Sequence, residues 1–93
     1  MYNAVNGTKI DPLALMAERA ASEPDTLAHA LAAHRRRFWL TEAEQRRHLG
    51  VNVAQWALFQ LCRMPESAED LEAVCACFAA DRERLERALR AGV

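Results

Sequence analysis

Apolar residues recur along this chain at intervals of three and four, and nowhere in strict alternation. That period is the mark of helices with one buried face. Leu13, Met16, Ala17 and Ala20 define a first helix ending near Ala21, opened by an Asp11-Pro12 pair that reads as an N-cap followed by proline at the first helical position. Ser22-Glu-Pro-Asp25 supplies an S-x-x-D cap for a second helix, whose apolar line is Leu27, Ala30, Leu31, His34 and Phe38 and whose end lies near Trp39. Thr41 and Glu44 form a T-x-x-E capping box, and Gly50 closes that third helix after Leu49. Asn52 with Gln55 caps WALFQLC, Ser67 with Asp70 opens a helix bearing Leu71, Val74, Cys75 and Phe78, and Asp81 opens a last one bearing Leu85, Ala88 and Leu89, stopped by Gly92. The expectation is an all-α fold, a small bundle of five to six short helices. Residues 1–10 show no period and read as a flexible tail, leaving 11–93 as a single helical domain.

Composition supports this. Of 93 residues, 52% are hydrophobic and 27% charged, with three glycines and three prolines, a mixture that favours helix throughout and suffices for one core. The net charge of −1 provides no overall attraction for nucleic acid, but its distribution is uneven. Between His34 and Gly50, five arginines (Arg35, Arg36, Arg37, Arg46, Arg47) face two acids. From Met64 to Val93, four arginines face seven acids. The middle of the chain would attract phosphate, and the end would repel it.

Cys62, Cys75 and Cys77 cannot all pair within one chain. The absence of an opening secretory apolar segment and of any apolar run near 18 residues implies a reducing, cytoplasmic setting with no membrane partner. Cys75 and Cys77, two apart on a helix, point about 200° away from each other and form no C-x-x-C, so a structural role is expected and no metal site. His34 shares its face with no second histidine and reads as a hydrogen-bonded, partly buried residue. Trp39 reads as a lid on the core, with stacking on an arginine or a base as the alternative. No paired histidine and carboxylate, phosphate loop or nucleophile motif appears. The expectation is therefore a non-enzyme without cofactor.

From Leu40 to Leu89 the order of elements resembles the phage-repressor or Xre-like (lambda repressor-like) helix-turn-helix family. It carries a short helix capped by Thr41, then Leu49-Gly50-Val51, a second short helix, a proline-containing loop, and Leu71, Val74, Phe78, Leu85 and Leu89. With the helix from Leu27 to Phe38 this implies a repressor-like core over about residues 25–91, with an extra N-terminal helix outside it. Three departures bear on function. Glu42 stands where the family's phosphate-bonding glutamine would be. Gln45 and Arg46 occupy positions that normally bury leucine and alanine, which weakens the expected packing of the two motif helices. The recognition positions that the resemblance implies, Asn52, Val53, Ala54, Gln55 and Leu58, carry no charge.

Base readout requires donors and acceptors. Asn52 and Gln55 qualify, but both read as caps. A helix apolar on nearly all sides must be covered, and Trp56 and Phe59 would face the core. The preferred reading is a regulatory protein whose residues Val53, Ala54, Ala57, Leu58 and Leu61 dock an unidentified protein or a second copy of the chain. A competing structural account has the first helix fold over this surface through Leu13 and Met16. The alternative function is a DNA-binding transcriptional regulator, holding phosphates with Arg35, Arg36, Arg37, Arg46 and Arg47 and reading bases with Asn52 and Gln55.

Overall fold

The computed structural model describes residues 11–91, so the expected tail and the Gly92 stop lie outside the described residues. Six α-helices follow one another: α1 (Pro12–Ala20), α2 (Leu27–Phe38), α3 (Glu42–Leu49), α4 (Trp56–Leu61), α5 (Ala68–Phe78) and α6 (Arg82–Ala91), with a 3-10 turn at Val53–Gln55 leading into α4. No strand occurs among the described residues.

Most helix starts follow the caps in the sequence. Asp11 accepts a hydrogen bond from Leu13 N at 3.1 Å, with Pro12 at the first helical position. At α3 the capping box is complete: Glu44 N donates to Thr41 Oγ1 at 3.0 Å, and Thr41 N donates to Glu44 Oε1 at 2.8 Å. Asn52 accepts from Ala54 N, Ser67 from Asp70 N and Asp81 from Arg84 N. Gln55 makes no side-chain cap bond, so its half of the expected N-x-x-Q cap is not formed.

The S-x-x-D expectation for α2 is also corrected. The N-cap is Thr26, which accepts from His29 N at 3.3 Å, and its hydroxyl lies 2.7 Å from Ala20 O and 2.8 Å from Glu23 O. Ser22 instead donates back to Arg19 O and finishes α1. One threonine therefore closes the turn after α1 and opens α2, which leaves no cap for Ser22 to make. Beside it, Leu27 N donates to Cys62 O at 2.9 Å and Met64 N to Asp25 O at 2.8 Å, tying the start of α2 to the chain leaving α4.

Three helices end the same way. After α2, α3 and α5 a residue turns left-handed: Trp39 at φ 57°, Gly50 at φ 81° and Ala79 at φ 55°. The next residue then donates to a carbonyl in the last turn, Leu40 N to Arg35 O, Val51 N to Arg46 O and Ala80 N to Cys75 O. This reversal directs Leu40, Val51 and Ala80 inward. Only glycine adopts the conformation without penalty, so of the three only Gly50 is visible as a stop in the sequence.

Leu27 and Leu31 of α2, Leu49 and Val51 around the glycine turn, Trp56 and Phe59 of α4, Leu71 and Cys75 of α5, and Leu85 and Ala88 of α6 form one core, flanked by half-buried Val74, Phe78 and Leu89. Phe59 is its aromatic centre, with Phe78 edge-on at 5.3 Å and Trp56 stacked at 5.7 Å. The start of α6 is fastened to the end of α3 by Asp81 N donating to Leu49 O at 2.8 Å and Arg84 Nη1 to His48 O at 3.0 Å.

Candidate functional site

The helix that a DNA reader would place in the groove is short. A 3-10 turn and six α-helical residues carry no charge between Asn52 and Cys62. Burying Trp56, Phe59 and Gln60 fixes the orientation of α4 and turns the opposite side outward. Val53 is 73% exposed and Leu58 46%, with Ala54 also exposed. Ala57 and Leu61 are half-buried.

The reason is α1, which packs along α4. Its small residues Ala14 and Ala17, with Ala21 just past its end, face Trp56, Ala57 and Gln60 across a narrow cleft of about 160 Å³. Alanines permit a close approach, and they occupy the side of α1 that Leu13 and Met16 were expected to use. Leu13 is only half-buried, and Met16 and Leu15 are exposed. Thus α1 shelters part of α4 and leaves Val53, Ala54 and Leu58 uncovered among the described residues. The indole N–H of Trp56 is buried there with no hydrogen-bond partner among the described residues.

The arginines do not make a single ridge. Arg35 turns inward and donates to Gln45 Oε1 at 2.6 Å, and burial pulls its guanidinium below its ordinary pKa while Glu42 opposes the shift. Arg46 donates to Val51 O at 2.9 Å and so braces the glycine turn. Arg36, Arg37 and Arg47 are exposed, with the Arg37 guanidinium 5.8 Å from the centre of the Phe38 ring. Two grooves result. One, of about 650 Å³, is lined by Arg35, Arg36, Trp39 and Leu40. The other, of about 530 Å³, brings together Arg46, Arg47, Asn52 and Gln55.

Gln45, expected to loosen the packing, is fully buried and binds α3 to α2. Its Nε2 donates to Leu31 O at 2.9 Å and lies 2.9 Å from His34 Nδ1, while its Oε1 takes the bond from Arg35. With the amide oriented by a carbonyl on one side and a guanidinium on the other, His34 Nδ1 must accept, so its proton sits on Nε2. Burial, and then the charges of His48 and Arg35, hold the His34 pKa below its ordinary value. The ring also packs on Phe38 at 5.2 Å.

Trp39 is not a core lid. It is 92% exposed, because the left-handed turn that sends Leu40 inward sends Trp39 out. Phe38 beside it is 52% exposed, although it lies on the apolar line of α2. The sequence held a clue in three arginines followed by two aromatics at a helix end, but no glycine marked the turn.

Among the described residues no group of three or more histidine, cysteine or carboxylate side chains gathers in a way that could hold a metal ion, and no helix is long and apolar enough to cross a membrane. Cys75 is buried, Cys77 exposed and Cys62 half-buried, and burial pushes the Cys62 and Cys75 thiols up, away from the thiolate form. No family model matches the chain, and neither a curated protein nor a solved structure is significantly similar to it.

Proposed function

We propose that this chain is a non-enzymatic regulatory module that acts through protein contacts of the exposed apolar side chains of the Val53–Leu61 segment, on a scaffold of the repressor-like helix-turn-helix type. One observation carries the reading: among the described residues, a segment without charge leaves Val53, in the turn before α4, and Leu58, on α4, uncovered although α1 already lies along that helix. A surface of this kind suits the desolvated centre of a protein interface. It offers a base edge only apolar contact. Glu42, exposed at the start of α3, opposes a phosphate at that point.

The second reading, a DNA-binding regulator, draws support from the groove that unites Arg46, Arg47, Asn52 and Gln55. Against it, Asn52 is engaged as a cap and Arg46 is engaged with Val51 O.

Leu58→Glu separates the two. Leu58 lies outside the core, so this variant is expected to keep its helix content and its urea midpoint while losing protein partners captured by wild type from a nuclease-treated native extract. Titration with generic double-stranded DNA at two salt concentrations completes the test. Submicromolar affinity with a steep salt slope, lost in an Arg36→Ala/Arg37→Ala/Arg47→Ala variant, would assign the module to DNA. Unfolding of Leu58→Glu would make the surface part of the core and remove the basis of the proposal.

A further inference from the structure

Trp39 combines two unfavourable features: a bulky side chain in the left-handed region and near-complete exposure of an indole. Exposed Arg36 and Arg37 precede it, and among the described residues no carboxylate lines the groove that Arg36 shares with Trp39. The molecule also holds a counterpart. Between residues 63–66 and α5 lies a cleft of about 380 Å³ walled by Met64, Pro65, Ala73 and Val74, with the carboxylates of Glu66 and Asp70 and one cation, Arg63. Glu69 and Glu72 stand exposed on the same helix.

We infer that a second copy of this chain is the occupant, with Trp39 of one molecule seated in the Pro65–Val74 cleft of the next and Arg36 and Arg37 meeting the acidic start of α5. Knob and cleft are complementary in sign and in apolar character. An indole can bury on the order of 150–250 Å², and the cleft presents apolar walls beside acids where the knob presents an aromatic beside bases. Tryptophan and arginine are also the residues that most often dominate binding. Knob and cleft are different surfaces, so the contact either closes reciprocally as a two-fold dimer, each tryptophan in the other's cleft, or runs head-to-tail into a ring or an open chain. It uses neither Val53 nor Leu58, so it stands independently of the function proposed above.

The test pairs two blocked variants of the full chain. Trp39→Ala removes the knob from an exposed position, and Ala73→Arg fills the cleft from an exposed position of α5. Sedimentation of wild type from micromolar to millimolar concentration is expected to show rising mass, weakened by salt, with the Trp39 emission moving to the blue. Each variant alone should associate at least ~10-fold more weakly, as loss of a dominant anchor implies. Mixed together, they should form a one-to-one dimer that grows no further, since one supplies the free cleft and the other the free tryptophan. Wild type that stays monomeric throughout, Trp39→Ala that still assembles, or a mixture that fails to pair would each overturn the proposal. So would Trp39 quenching by a single-stranded oligothymidine without self-association, which would assign the corner to nucleic acid.

Discussion

Replacing Gln45 with alanine tests how α2 and α3 are joined. The substitution removes a side chain with no solvent exposure that donates to Leu31 O, faces His34 Nδ1 and accepts from Arg35. Leu31 O keeps its place in the helix ladder, and half-buried Arg35 regains water, so those two losses are modest. His34 Nδ1 is left buried without a donor, at a cost of about 1–3 kcal/mol. The void left by the missing amide adds about 1–2 kcal/mol. A loss of about 2–5 kcal/mol is therefore expected, a large share of the ~5–15 kcal/mol typical of a domain.

Urea unfolding with an unchanged slope measures this directly. Gln45→Leu restores apolar volume but not the donor, and is expected to remain about 1–3 kcal/mol below wild type. His34 provides a second readout. Its folded pKa lies below the unfolded value of about 6.5, so the unfolded chain binds the extra proton. The contribution of neutral His34 is complete above about pH 6.5 and is lost as pH falls through the lower folded value. In Gln45→Ala that acid sensitivity should shrink and the His34 resonance should titrate nearer its ordinary position. A loss under about 1 kcal/mol with His34 titration unchanged, or a Gln45→Leu variant more stable than wild type, would refute the reasoning.

Other substitutions probe the turns and the caps. Ala79→Gly relieves a left-handed residue and should raise stability by about 1 kcal/mol, whereas Gly50→Ala should lower it by a similar amount, both read from urea midpoints. Thr41→Ala removes the oxygen that holds Glu44 N and should cost about 1 kcal/mol, with a small loss of helical circular dichroism. Acrylamide should quench Trp39 in the Trp56→Phe variant nearly as well as free tryptophan, and should leave Trp56 in Trp39→Ala largely protected; equal quenching of the two would contradict their placement.

Where local chemistry dictated structure, the sequence was readable. The Thr41–Glu44 box, Asp11-Pro12, Ser67 and Asp81 sit where their side chains find backbone N–H groups, and the three-and-four spacing located Leu27, Leu31, Phe59, Leu71 and Leu85 in the core. Tertiary competition hid the rest. Ser22 looked like a cap until Thr26 took that role through bonds to both α1 and α2. Gln45 looked like a flaw because its partners lie on another helix. Trp39 looked like core because aromatics usually are, and nothing local announces a left-handed tryptophan. The candidate surface on α4 was visible as an absence of charge, but its limits were not. Which residues α1 shelters depends on the register of two helices that meet through alanines.

The central claim is that the exposed apolar side chains of the Val53–Leu61 segment, Val53 and Leu58, dock a protein. Hydroxyl-radical footprinting of these two side chains, in buffer and in native extract with and without nuclease, tests it most directly. Both should be modified in buffer and protected in extract, and nuclease should leave the protection intact. Protection that vanishes with nuclease would place nucleic acid on this surface, and protection already complete in a buffered monomer would place it in the core.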